Sequence, residues 1–192
     1  MNRVDNQEIV VALQNGSLEA LGVLYDRHNK LVYHTALGIV GDPESAADLL
    51  QDVFLRLYRF ADRVDPTRPI EPWLCRVTAN LSYTRVRRRK WLQPIEDATE
   101  WLVGERRQMP QHAAEIREET NRVHDAILAL PMHQRVVVVL YYLNDFPIQE
   151  IAETLEIPVG TVKSRLHFAR RDLKKRLDVR EDRLPEVHYE FT

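Results

Sequence analysis

Apolar residues recur at spacings of three and four along most of the chain, which is the period of an amphipathic α-helix. In the N-terminal half this pattern predicts helices over about residues 5–14, 17–39, 42–59 and 72–90. Ser17 is placed to cap the second helix, and Gly41 is placed to end it. Asp42 and Pro43 then suit the N-cap and the first turn of the third helix.

The C-terminal half continues in the same way. Helices are predicted over about 123–130, 136–142, 148–155 and 161–177, and Pro131 ends the first of them. The segment 136–142 is apolar nearly all round, which predicts a central position in a second small core. Because no stretch alternates like a strand over a useful length, we predict an all-α fold.

A change of composition separates the two halves. Residues 93–119 are rich in Glu and Asp and carry Pro94 and Pro110, which predicts a flexible acidic linker. We therefore predict two small helical domains, residues 1–92 and 120–178. The tail, residues 179–192, mixes charges around Pro185 and is expected to be poorly ordered.

Residues 145–177 have the pattern of two helices joined by a tight turn. Pro158 and Gly160 lie between them, and the second helix carries an apolar stripe on one face. Its other face is basic and hydroxyl-bearing, with Thr161, Lys163, Ser164, Arg165, His167, Arg170 and Arg171. This arrangement is typical of a helix-turn-helix that enters the DNA major groove, although a merely solvated basic helix would share it.

The fourth helix ends in a second basic cluster. Its exposed positions are predicted to be Asn80, Tyr83, Arg85, Arg87, Arg88, Arg89 and Lys90. Basic side chains beside an aromatic and an amide suit a phosphate backbone and an unpaired base. The alternative is a solubilising helix end, which the helix dipole would favour. The third helix is less informative, because its outward Asp48, Gln51, Asp52 and Arg56 have by themselves the composition of an ordinary solvated face.

Composition narrows the possible chemistry. The net charge is only −2, and a single cysteine, Cys75, excludes an internal disulfide and is predicted to be a core residue. The seven histidines are scattered and no metal-ligand spacing, glycine-rich phosphate loop or serine elbow is present, so we expect no metal, cofactor or catalysis. The start of the chain has no leader pattern and the longest apolar run is too short to span a bilayer, so a cytoplasmic protein is expected.

Three stretches together resemble a known family. They are LVYHTALGIVGDPESAADLLQDVFLRLYRF, PWLCRVTANLSYTRVRRRK, and the segment from Ala126 to Leu177 that contains EIAETLEIPVGTVKSRLHFAR. In order and spacing they are similar to a group IV, or extracytoplasmic-function (ECF), sigma factor of the bacterial sigma-70 family. The resemblance covers most of the chain.

The resemblance implies an RNA polymerase initiation subunit with a region 2 and a region 4 domain. The third helix would bind the clamp of the largest polymerase subunit through Asp48, Leu49, Gln51, Asp52, Phe54 and Arg56, which replaces the solvated-face interpretation. The basic end of the fourth helix would recognise and open the −10 element, and the helix-turn-helix would bind the −35 element. Contact with the polymerase flap and an anti-sigma partner is also implied, without membrane insertion.

Four positions depart from the family pattern. Thr84 stands where an acid is frequent, Cys75 where an aromatic is frequent, and Phe168 where a basic residue is common. Glu156 occupies the turn position where glycine is usual, so a left-handed backbone there would cost on the order of 1–2 kcal/mol. A free-standing helix-turn-helix regulator is the alternative function, and it would use the N-terminal half for a ligand or dimer contact.

Overall fold

The computed structural model describes residues 3–92 and 121–177, with side chains from residue 6 to residue 88 in the first range. The helices are α1 (Arg3–Gln14), α2 (Leu18–Val40), α3 (Pro43–Arg59), α4 (Glu71–Leu92), α5 (121–128), α6 (Met132–Val138), α7 (Ile148–Leu155) and α8 (Val159–Leu177). These two ranges contain no strand, so the predicted all-α fold of two helical domains is confirmed. The predicted linker and tail, and the side chains of Arg89 and Lys90, lie outside the described residues.

The predicted caps determine where the helices of the N-terminal domain begin and end. The Ser17 hydroxyl accepts a hydrogen bond from the Ala20 amide, and the Asp42 carboxylate accepts one from the Ser45 amide at 2.9 Å. Gly41 ends α2 in the left-handed conformation, with φ of 79°. These interactions involve residues at most four apart, which is why the sequence pattern located them correctly.

Two apolar clusters hold the N-terminal domain together. The larger lies between α1, α2, α3 and α4, and its fully buried members include Leu13, Leu24, Leu57, Ile70 and Leu74. The smaller joins the C-terminal end of α2 to the start of α3. These clusters thereby fix the four helices relative to one another.

His28 is more deeply buried than the sequence predicts. His28 is predicted from the sequence to lie at the surface or half-buried, but it is 7% exposed, and its Nδ1 lies 3.9 Å from Glu71 Oε1. Desolvation by burial lowers the pKa of His28 from its usual 6.5, against an opposing effect of Glu71. The folded N-terminal domain therefore favours the neutral imidazole.

Acidification is consequently expected to destabilise the chain through His28. Below about pH 6.5 the unfolded chain binds a proton at this site more readily than the folded chain does, so stability present at higher pH is lost as pH falls. Urea midpoints measured at about pH 7.5, 6.5 and 5.5 should fall less steeply for His28→Gln than for the wild type. The exposed His133 provides the control variant His133→Gln. Equal slopes in all three chains would contradict the prediction.

The C-terminal domain packs α6 in the centre of its own core. Val137, Leu140, Ile151 and Leu166 are fully buried together, as the apolar segment predicted. After Val138 the helix widens into a π-helical turn over Val139–Leu143, which the sequence did not indicate.

The two domains are also in contact with each other. Ile39, Cys75 and Ala79 of the N-terminal domain pack into the core of the C-terminal domain. The sequence instead predicts separate bodies with no shared core. The difference arises because α2 and α4 each present a short apolar strip on the side that faces α6 and α7.

Candidate nucleic-acid interface

The helix-turn-helix forms as predicted, with α7 and α8 joined by a three-residue turn. The Ile157 amide donates to the Ala152 carbonyl at 3.0 Å, which ends α7. Glu156 takes the left-handed conformation at φ 53°, so the backbone cost anticipated for this position is present. Helix α8 begins at Val159 rather than Thr161, because the Thr161 and Val162 amides donate to the Pro158 carbonyl.

Helix α8 has one buried side and one open side. Val162, Leu166 and Ala169 are fully buried, as the apolar stripe predicted. Of the predicted DNA-binding residues, Ser164, His167 and Arg171 are exposed, and Thr161, Lys163, Arg165 and Arg170 are half-buried. In the first turns of α8, Ser164 thus lies on the open side, and Lys163 and Arg165 lie at its edges.

Arg170 makes intramolecular contacts that the sequence did not reveal. Its Nε donates to the Tyr142 hydroxyl at 2.6 Å, and its guanidinium lies 5.7 Å from the ring centre of Tyr141 and 5.6 Å from that of Tyr142. These contacts tie α8 to the π-helical turn. Arg170 is therefore held against the π-helical turn of its own domain, whereas the sequence predicted it on the DNA-binding face.

Phe168 lies on the open side of α8 and is 43% exposed. The Arg171 guanidinium lies 5.0 Å from its ring centre, and the His167 ring meets it edge-on. An exposed aromatic ring at this point offers an apolar contact of the kind that recognises the thymine methyl group. At this position α8 therefore presents an apolar ring, where a basic side chain would present a charge.

The basic end of α4 is open over most of its predicted residues. Tyr83 is 53% exposed, and Asn80, Arg87 and Arg88 are exposed with it. Arg85 is instead held by α3, because it donates to Asp48 Oδ2 at 2.6 Å and to the Ser45 hydroxyl at 3.2 Å. This pair joins a residue of the predicted −10 surface to a residue of the predicted polymerase surface.

The outer face of α3 is partly as predicted. Asp48, Gln51, Asp52 and Arg56 are exposed. Leu49 and Phe54, which were predicted to bind polymerase with them, lie in the N-terminal cores at 1% and 4% exposure, because helical periodicity turns them inward. Leu49 and Phe54 therefore pack in the core beneath the exposed face of α3 and do not form part of it.

Sequence reasoning missed the apolar part of the α3 face. Leu55 is 53% exposed and Tyr58 is 42% exposed, and Phe60 follows them at the end of the helix. The signal was available, because Val53, Phe54 and Leu57 already fill the buried side and leave Leu55 and Tyr58 pointing away from it. An exposed apolar set rimmed by charged residues is typical of a protein-binding surface.

The described residues offer little for metal or thiol chemistry. In residues 3–92 and 121–177 there is no group of three His, Cys, Asp or Glu side chains that could hold a metal ion. Burial raises the pKa of the Cys75 thiol to about 12, so the reactive thiolate is scarce at neutral pH. Among the same residues no helix is long and apolar enough to cross a membrane.

Comparison with known proteins gives consistent family matches in both halves. Residues 24–92 match the model of Sigma-70 region 2, and residues 120–173 match that of Sigma-70 region 4. The chain is 32% identical over 173 residues to the ECF RNA polymerase sigma factor SigW of Bacillus subtilis, covering 86% of this chain and 92% of that one. It is 31% identical to the ECF RNA polymerase sigma factor SigL of Mycobacterium tuberculosis, over 79% and 85% of the two chains.

Solved structures show the same fold at lower identity. The structure of CnrH in complex with the cytosolic domain of CnrY matches with a TM-score of 0.67 at 24% identity, over 90% of this chain and 97% of that one. The sigma factor RpoE of Bartonella quintana, crystallised with the anti-sigma factor NepR, also matches with a TM-score of 0.67, at 20% identity over 84% and 99% of the chains.

Proposed function

The chain belongs to the extracytoplasmic-function class of the sigma-70 family. We propose that, when the chain is bound to RNA polymerase, each of its two helical domains recognises one element of the promoter. The C-terminal domain binds the −35 element through α8. The N-terminal domain binds the −10 element through the end of α4 and holds core polymerase through α3. The polymerase performs the chemistry, and this chain selects the place where it starts.

The observation that carries the −35 assignment is the two-sided character of α8. Its apolar stripe is buried against α6 and α7, so the helix is held with Ser164 exposed and with Lys163 and Arg165 half-buried at the edges of the exposed side. Arginine and lysine pair with guanine edges and phosphates, and a serine hydroxyl bonds to either. Phe168 adds an apolar contact on the same side.

The −10 assignment is supported by the exposed end of α4. Asn80 and Tyr83 combine an amide with an aromatic ring, which suits an unstacked base. Arg87 and Arg88 continue along the helix as the basic component that neutralises phosphate. Arg85, held by Asp48, contributes by fixing α4 against α3, so that DNA and polymerase are bound in a defined relative position.

The polymerase assignment is supported by the mixed face of α3. Charged and amide side chains at 48, 51, 52 and 56 surround exposed Leu55 and Tyr58, a composition suited to the clamp of the largest polymerase subunit. The C-terminal domain would meet the flap. A relative of similar fold was crystallised with an anti-sigma factor, and we propose that a protein of that kind also covers these surfaces. Cytoplasmic action follows from the need for polymerase and DNA.

The decisive experiment is run-off transcription with purified core polymerase on a promoter library selected by the reconstituted holoenzyme. Specific transcripts that depend on this chain are expected. A chain that binds duplex DNA tightly by itself, and gives no transcript on any library member, would instead be a free-standing regulator.

A further inference from the structure

One row of side chains on α8 lies directly opposite its buried stripe. Ser164, Phe168 and Arg171 follow one another at spacings of four and three residues, which places them on a single face of the helix. Because Val162 and Leu166 are fully buried on the other side, this row is the part of α8 that would enter deepest into a major groove. An apolar ring, that of Phe168, therefore stands at the centre of the surface that would face the base edges.

Two neighbouring side chains hold the Phe168 ring in place. The Arg171 guanidinium lies over the ring, 5.0 Å from its centre, and the His167 ring meets it edge-on with 5.5 Å between the ring centres. A side chain that is already restrained loses little conformational freedom when it makes a further contact. The exposed part of the Phe168 ring is therefore suited to discriminate between bases.

The chemistry of a phenyl ring limits what it can recognise in the major groove. Guanine presents two acceptors there, adenine an acceptor and a donor, and cytosine a donor, and the ring offers none of them a conventional hydrogen bond. Covering one of these polar edges with the ring would remove water from it without replacing the lost hydrogen bond. Thymine alone adds an apolar group, its C5-methyl, whose contact with the ring is favourable. The ring therefore favours thymine over the other three bases.

We propose that Phe168 is a specificity-determining residue of this chain, which selects a thymine by its C5-methyl group at one base pair of the −35 element. The inference rests on the proposed function, and it adds the base and the chemical group that are recognised. A basic side chain at the same place would instead favour guanine, through the O6 and N7 acceptors. The promoters of this chain therefore differ at that base pair from those of a relative with arginine or lysine there.

The test removes a single methyl group from the DNA. In a promoter selected by the reconstituted holoenzyme, each thymine of the −35 element is exchanged in turn for deoxyuridine, which keeps every hydrogen-bonding group of thymine and lacks only the methyl. At one position the exchange should lower run-off transcription about 3- to 10-fold when the wild-type chain is limiting. At the same position 5-methylcytosine should be preferred to cytosine.

Three variants of the chain complete the test. Phe168→Ala removes the ring from an exposed site, so α8 should stay folded, which circular dichroism checks, and templates with thymine and with deoxyuridine should give equal run-off. Phe168→Arg should shift the base selected at this position from thymine to guanine. Val159→Ala is the matched control, because it shortens another exposed apolar side chain of α8 that lies outside the row, and it should keep the wild-type ratio.

Equal run-off from thymine and deoxyuridine templates at every position with the wild-type chain would overturn the proposal. A ratio that Phe168→Ala leaves unchanged would also overturn it, because a merely structural role, or a contact of the ring with polymerase, would weaken both templates alike. If no library member gives a transcript, the proposed function fails. Duplexes selected by the full chain without polymerase then carry the same comparison, and the absence of a thymine preference or of any selected duplex would overturn the inference.

Discussion

Replacing Lys163 or Arg165 with alanine is expected to lower promoter-specific run-off about 10- to 100-fold, since a side chain that pairs with a base edge contributes about 1–3 kcal/mol of discrimination. Both side chains are half-buried in the first turns of α8, one on each flank of the buried stripe, beside the exposed Ser164. The measurement is run-off from a matched promoter and from one with a substituted −35 element.

The control variants remove one positive charge each from the C-terminal end of the same helix, α8. Lys175 and Arg176 are exposed in the last turn of α8, distant from the turns that enter a major groove. Their alanine variants should reduce binding to all sequences alike and leave the preference for the matched −35 element intact. An equal loss of preference in both pairs of variants would contradict the assignment of the −35 surface.

Replacing Arg135 with methionine is expected to lower the free energy of unfolding by about 3 kcal/mol, since three carbonyls would lose a charged donor and each lost bond costs about 1 kcal/mol or more. The guanidinium donates to the carbonyls of Ile39, Leu128 and Leu130, at the C-terminal ends of α2 and α5. Burial lowers the pKa of Arg135, yet the negative ends of two helices favour its charge. Urea denaturation followed by circular dichroism measures the change.

Arg122 gives the corresponding control, because it lies exposed on α5. Arg122→Met should change the free energy of unfolding by less than about 0.5 kcal/mol. Arg135→Lys should fall between the two, because lysine keeps the charge but cannot reach several carbonyls with one planar group. A loss in Arg135→Met no larger than that in Arg122→Met would exclude this role for the buried guanidinium.

The sequence separated the exposed residues of the predicted binding surfaces from the buried ones only in part. Family resemblance grouped Leu49 and Phe54 with the exposed residues of α3, but both follow its apolar period and are buried in the structure. The same pattern contained the exposed Leu55 and Tyr58, which were overlooked. The bond from Arg85 to Asp48 was beyond sequence reasoning, because it joins two helices whose relative rotation depends on core packing.

By itself the sequence determined the all-α class, most of the helices, the caps at Ser17, Gly41 and Asp42, and the family, because each of these depends on residues close together in the chain or on a motif read in order. Tertiary structure alone decided the burial of His28, the attachment of Arg170 to Tyr142 and the contact between the domains. These features depend on distances between residues far apart in sequence. Such distances are set by how complete helices pack, and no local pattern records them.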